Sequence, residues 1–256
     1  MLATVTAFGI VERAPVRKAR LEIDATRRGA VVDYWRARFG PNWQRLTVNG
    51  TTARAWVREM LRLVEQDKDH LTSLDSAIGD ADHGVNLLRG FTAVVAALDK
   101  KEPEGPGEVL VTTGSALIST VGGASGPLYG SAFRSAGKAL GKDADVTPAQ
   151  FANALHEALA AIRKLGAASV GDKTMVDAFT PAADAFQAAV DEGATMPVAA
   201  KLASQAAEEG AEATIPLQAL KGRASYLGPR SVGHQDPGAT STALLFSALV
   251  TAVEGT

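Results

Sequence analysis

A chain of 256 residues with 46% hydrophobic content can bury one large core or two small ones. Its formal net charge of −2 gives no overall basis for binding nucleic acid or an anionic membrane, and the absence of cysteine excludes disulfides, thiolate metal sites and cysteine nucleophiles. No apolar run reaches the ~20 residues of a transmembrane helix and no signal-peptide core opens the chain, so a cytoplasmic location is expected.

Residues 1–50 stand apart. They carry nine Lys+Arg against four Asp+Glu, whereas 51–256 carry seventeen against twenty-four, and their apolar residues keep no regular period. They read as a poorly ordered basic extension, or as the product of a start codon assigned too early, with Val48 or a neighbour as the true start. A basic arm for an acidic partner is the weaker reading.

From Thr51 the pattern turns helical. Thr51 or Thr52 is placed to cap a helix with Ala55, Val57, Met60, Leu61 and Val64 on one side. A short helical piece over 69–77 leads into a loop rich in Asp and Gly. Helices are then expected over 85–98, 108–121 and 127–140, the last two separated by Gly122-Gly123-Ala124-Ser125-Gly126. Thr147-Pro148 opens a helix to about 165, and Asp172 is placed to cap one over 173–191. Pro197 opens another to about 213. A long polar loop over 221–239 precedes a last helix over 240–253. With only 5% aromatic residues and abundant alanine, the pattern predicts an all-α bundle of about eight helices and no strand pair. Loops rich in Gly and Asp alternate with the helices and could converge at one end of the bundle.

Three of those loops carry chemistry. Residues 75–84 hold Asp75, Asp80 and Asp82 beside two glycines and His83. Hard oxygen ligands crowded this way suit Mg²⁺, whose shell is completed by water and phosphate oxygens. Turns and helix caps use the same residues, and an EF-hand is excluded because the twelfth position from Asp80 is Phe91. Gly122–Gly126 lets a backbone approach an anion at a helix start, with Ser125 as a hydroxyl donor, although a plain helix–helix turn has the same composition. Residues 166–174 miss the P-loop pattern, because Asp172 precedes Lys173 and no strand leads in; Lys173 remains a candidate phosphate neighbour. The 221–239 loop gathers Arg223, Arg230, His234 and Asp236. Cation ligands, phosphate amides and arginines together point to nucleotide chemistry.

These segments closely resemble the nucleotide-binding L subunits of dihydroxyacetone kinase. The resemblance rests on Leu74-Asp75 with Gly79-Asp80-Ala81-Asp82-His83-Gly84, on Gly122 to Leu128, on Gly171-Asp172-Lys173-Thr174-Met175, and on Gly222 to Gly228 running into Gly233 to Ser241. It covers about residues 50–256 and leaves 1–50 outside, so 51–256 is expected to be the L domain. It implies an all-α barrel of eight antiparallel helices with the nucleotide at one end. By that resemblance Asp75, Asp80 and Asp82 hold two Mg²⁺ ions that bridge the phosphates of ADP or ATP. His83 and Asn86 lie beside the nucleotide, and Ala124 and Ser125 contact phosphate. Gly166 and Met175 line the base pocket, Arg223 stabilises the transferring phosphoryl group, and Asp236 and Pro237 belong to the closing loop. Pro229 is a departure, since many relatives have Glu there. The implied reaction is phosphoryl transfer to dihydroxyacetone held on a separate K subunit, with bound ADP recharged by a phosphohistidine M subunit. The alternatives are an ATP-exchanging kinase subunit for a related ketose, and a nucleotide-loaded module that binds a transcription regulator; a homodimer is compatible with each.

Overall fold

The computed structural model describes residues 47–255; the expectations for 1–46 lie outside the described residues. Helix α1, Gly50–Ile78, runs 29 residues without interruption. The short helical piece expected over 69–77 is the end of this same helix: no Gly or Pro lies between Thr51 and Ile78, and the buried stripe Met60, Val64, Leu71, Asp75 and Ile78 carries the helical period straight through. Its cap is Asn49, whose side chain accepts the Thr52 N–H at 3.0 Å, and not Thr51 or Thr52.

The remaining helices are α2 His83–Lys101, α3 Pro106–Thr120, α4 Ser125–Leu140, α5 Pro148–Gly166, α6 Met175–Asp191, α7 Met196–Glu212 and α8 Pro237–Glu254. Thr147 and Gln150 form a capping box at α5, as the Thr-Pro pair suggested. At α6 the cap is Thr174, in a capping box with Asp177, and the helix begins at Met175. Asp172 does not cap it: its Oδ2 accepts the Ser169 N–H at 2.8 Å and shapes the turn before it. The 221–239 stretch is not unstructured either, because Arg223–Ser231 forms a 3₁₀ segment with a kink at Gly228. A two-residue antiparallel pair, β1 Val48–Asn49 with β2 Asp145–Val146, also departs from the all-helical expectation. It is too short to leave a period of two in the sequence, and Val48 and Val146 in it are buried.

Each helix packs on the next, and α8 closes on α1, so the eight α-helices of the described residues form a ring. Short connections make consecutive helices antiparallel. That alternation puts the connections 79–82, 121–124, 167–174 and 213–236 at one end, and 102–105, 141–147 and 192–195 at the other. Aromatic side chains fill the interior. Trp56 lies 5.6 Å from Phe133 and 5.7 Å from Phe151, which continues to Phe186 at 5.6 Å. Small alanines line much of the remaining helix contact and let the helices approach closely.

Candidate functional site

Every motif singled out from the sequence sits on the first of these two ends, around a cavity of about 250 Å³. The N-termini of α2, α4, α6 and α8 also lie there, and residues from each line it. Four positive helix ends facing one cavity suit an anionic ligand.

Asp75, on the last turn of α1, is 7% exposed and accepts the Asp82 N–H at 2.8 Å and the His83 N–H at 3.1 Å through Oδ2. It therefore caps α2 from outside that helix. Ala81 takes a left-handed conformation (φ 61°) that turns the chain between Asp80 and Asp82. One ligand oxygen from each of Asp75, Asp80 and Asp82 falls within 4.8 Å of the others. Three hard oxygens at that spacing, with two of the carboxylates reaching solvent, fit a divalent cation that also takes water and phosphate. Arg223 Nη2 lies 2.9 Å from Asp80 Oδ2, so the guanidinium leans over the same cluster from the 3₁₀ segment.

Across the cavity, Gly123 (φ 69°) turns the chain into α4, and Gly123, Ala124 and Ser125 line the wall. No side chain caps α4, which leaves its first-turn amides to a ligand. The apolar part is built from Leu128, Ile162, Ala168, Met175 and Val176, with Gly166 beside them. Asp236 and Pro237 line the floor; Asp236 caps α8 by accepting the Ala239 N–H at 2.7 Å. Burial pushes its carboxyl up to about 7, against the Ala239 bond and the Lys173 charge.

The structure brings all but one of the site residues implied by the resemblance to this cavity, whereas Arg230 and His234, gathered with them in the 221–239 loop, do not line it. The exception is Asn86, which does not line it; its Oδ1 accepts from Arg89 Nη2 at 2.7 Å, behind Gly122. Lys173 lines the cavity, but its ammonium is turned to backbone carbonyls of Thr214, Ile215 and His234. Burial lowers its pKa, opposed by Asp236 and Asp177. Sequence reasoning missed a buried hydroxyl chain behind His83. His83 Nε2 is 2.9 Å from Ser241 Oγ, which is 2.7 Å from the Tyr129 hydroxyl, itself 2.9 Å from Thr242 Oγ1. Burial pulls His83 down, opposed by Asp75, Asp82 and the Pro237 carbonyl, and pushes Tyr129 up to about 12. One Tyr in α4 lies more than 100 positions from Ser241 and Thr242 in α8, two among several hydroxyls of that helix, and left no pattern to find.

Comparison with known proteins defines the class. The family described as the DAK2 domain matches residues 77–251. The ADP-binding subunit DhaL of the PEP-dependent dihydroxyacetone kinase of Escherichia coli is 39% identical over 209 residues, covering 82% of this chain and 100% of that protein. The ADP-binding subunit DhaL of the PTS-dependent kinase of Lactococcus lactis is 37% identical, covering 81% and 99%. The crystal structure of the C. freundii dihydroxyacetone kinase with AMP-PNP and Mg²⁺ superposes with a TM-score of 0.61 at 25% identity, covering 81% of this chain and 35% of that one. The chain thus belongs to the DAK2 domain family, in the branch formed by the DhaL subunits.

Proposed function

We propose that this chain is the ADP- and magnesium-carrying subunit of a dihydroxyacetone kinase, with residues 51–256 as the L domain. A phosphohistidine M subunit phosphorylates the bound ADP, and the phosphoryl group then passes to dihydroxyacetone on a separate K subunit, in the cytoplasm. The observation that carries this reading is the meeting, at one cavity, of three carboxylates within 4.8 Å, four helix N-termini and an apolar wall. Near-complete coverage of separate DhaL subunits favours it over a reading as a self-contained sugar kinase. L-erythrulose 1-kinase of Mycolicibacterium smegmatis, for example, is 36% identical, but this chain covers only 42% of it.

Asp75, Asp80 and Asp82 would hold two Mg²⁺ ions, which supply charge neutralisation for the phosphates. The α4 amides and Ser125 receive phosphate oxygens, and the apolar wall around Met175 takes the adenine ring. Arg223 exchanges its pairing with Asp80 for the transferring phosphoryl group, where a guanidinium best matches the developing charge. Leu165, Val170, Leu220 and Tyr226 are exposed on or beside the connections at this end, Tyr226 at 88%. Exposed apolar side chains at the nucleotide end are the feature expected where a partner must bring its reacting group to the nucleotide.

The test is direct. The purified, desalted protein is denatured, and released nucleotide and Mg²⁺ are counted against protein. Near-stoichiometric ADP is the expected result. Reversible binding of added Mg-ATP without retained ADP would replace the fixed-coenzyme reading with free exchange. No nucleotide binding in the presence of Mg²⁺ would end the proposal.

A further inference from the structure

Lys173 has no role in the reading above, yet its setting is unusual. It takes a left-handed conformation (φ 61°), and its side chain is among the largest fully buried in the described residues, at 1% exposure. Its ammonium donates to the carbonyls of Thr214 at 2.7 Å, Ile215 at 3.5 Å and His234. Three N–H donors thus meet three carbonyls, the full capacity of a protonated lysine. Those carbonyls belong to the two ends of one segment, 213–236, which joins α7 to α8 and carries Arg223 over the cavity. The same segment is tied nearby by Leu220 N–H to the Asp172 carbonyl at 3.1 Å and Gly233 N–H to the Ile215 carbonyl at 2.8 Å. Thr214 Oγ1 accepts the Asp236 N–H at 2.9 Å, so the pin continues into the cap of α8.

We propose that Lys173 is a positioning residue whose buried ammonium clasps both ends of the 213–236 segment, holding Lys221 to Ala224 against the cavity and slowing nucleotide release. This rests on the nucleotide reading above. A lysine does this where another residue would not: only an ammonium on a flexible stem offers three donors around a point. Buried carbonyls that lose a charged donor lose it without replacement by water unless the segment opens. Opening the segment would move Arg223 away from Asp80 and uncover the bound phosphates.

The experiment uses the full chain and a fluorescent ADP analogue with Mg²⁺. Wild-type binding is measured first; if the wild type binds none, the nucleotide reading fails and not this one. With binding established, Lys173→Met is expected to release the analogue roughly ten- to a hundredfold faster, with association changed far less. In an Arg223→Ala background the added acceleration should shrink to within about threefold, because both changes then act on one contact network. Hydrogen exchange of the nucleotide-free variant should lose protection over 213–236 and keep it over α1 to α5. Release at the wild-type rate would overturn the inference. So would an acceleration undiminished by Arg223→Ala, or protection lost across all helices. Should Lys173→Met fail to fold, Lys173→Gln carries the same test, since it keeps a polar head on a shorter stem but has two N–H donors and no charge to offer the carbonyls of Thr214, Ile215 and His234.

Discussion

At the scale of single residues the carboxylate cluster depends on a hydrogen atom. A Cβ built on Gly79 would lie 2.0 Å from Asp75 Oδ1 and 3.0 Å from the Asp75 carbonyl oxygen. Only glycine lets the chain leave α1 so close to that carboxylate. Gly79→Ala must therefore displace Asp75, and with it the acceptor for the Asp82 and His83 amides. Overpacking of this kind costs about 1–3 kcal/mol. The variant is expected to keep its helical circular dichroism while its Mg²⁺-dependent nucleotide retention falls at least about tenfold; retention at the wild-type level would show that the carboxylate is free to move. The three aspartates were legible in the sequence because their chemistry is local: like charges crowded into ten residues imply a counter-charge. Asp172 was misread for the opposite reason: beside a helix start an Asp resembles a cap, and its bond to the Ser169 N–H is not visible in the spacing. For Lys173, which lines the cavity, only the return of residues 214–234 decides which carbonyls the ammonium meets.

At the scale of elements, the helix starts that were read correctly are those whose signal is self-contained, such as the Thr147 to Gln150 capping box. Those misplaced, at Asn49 and Thr174, are capped locally too, but Thr51, Thr52 and Asp172 offer rival caps within two or three residues and spacing alone does not choose among them. The 3₁₀ segment contains Gly228 and Pro229, which speak against a helix, and it is held by Ser231, whose hydroxyl accepts the Ala219 N–H at 2.9 Å and donates to the Gly228 carbonyl at 2.6 Å. The start of α8 has a cap of unusual kind, because Asp236 is 8% exposed. Its carboxyl, pushed up from 3.8 to about 7, binds a proton more tightly in the folded than in the unfolded chain. Its contribution to stability is thus fully present below about pH 4 and is lost as pH rises through about 7, with a slope of up to ~1.4 kcal/mol per pH unit. Asp236→Asn keeps an oxygen for the Ala239 N–H and removes the titration. Urea unfolding of the nucleotide-free proteins should show the variant gaining on wild type between pH 5 and pH 7 and holding a constant margin above about pH 8. A margin independent of pH would mean that Asp236 titrates normally.

At the scale of the whole molecule, a bundle of about eight helices was legible in the pattern and a barrel was implied by the family resemblance, but the contacts that close the ring leave no local pattern of their own. The seam between α1 and α8 joins residues at opposite ends of the described chain. A buried polar tie across it is the Trp56 indole N–H, which donates to the Leu245 carbonyl at 2.8 Å across 189 positions. Trp56 also stands at the centre of the aromatic core, touching Phe133 and Phe151. It does not line the cavity, so a change there tests closure apart from ligand binding. Trp56→Phe preserves an aromatic ring but deletes the donor and part of the volume, which together cost about 2–3 kcal/mol. For a domain of this size that lowers Tm by roughly 4–10 °C. Contacts of such high sequence separation close late, after neighbouring helices have paired, because the loop entropy must be met before the contact forms. The loss should therefore appear mainly as faster unfolding with a nearly unchanged folding rate. Stopped-flow folding and unfolding of the two proteins in urea separates these rates. A variant that folds more slowly, by most of the lost stability, would place the α1–α8 seam in the folding nucleus instead.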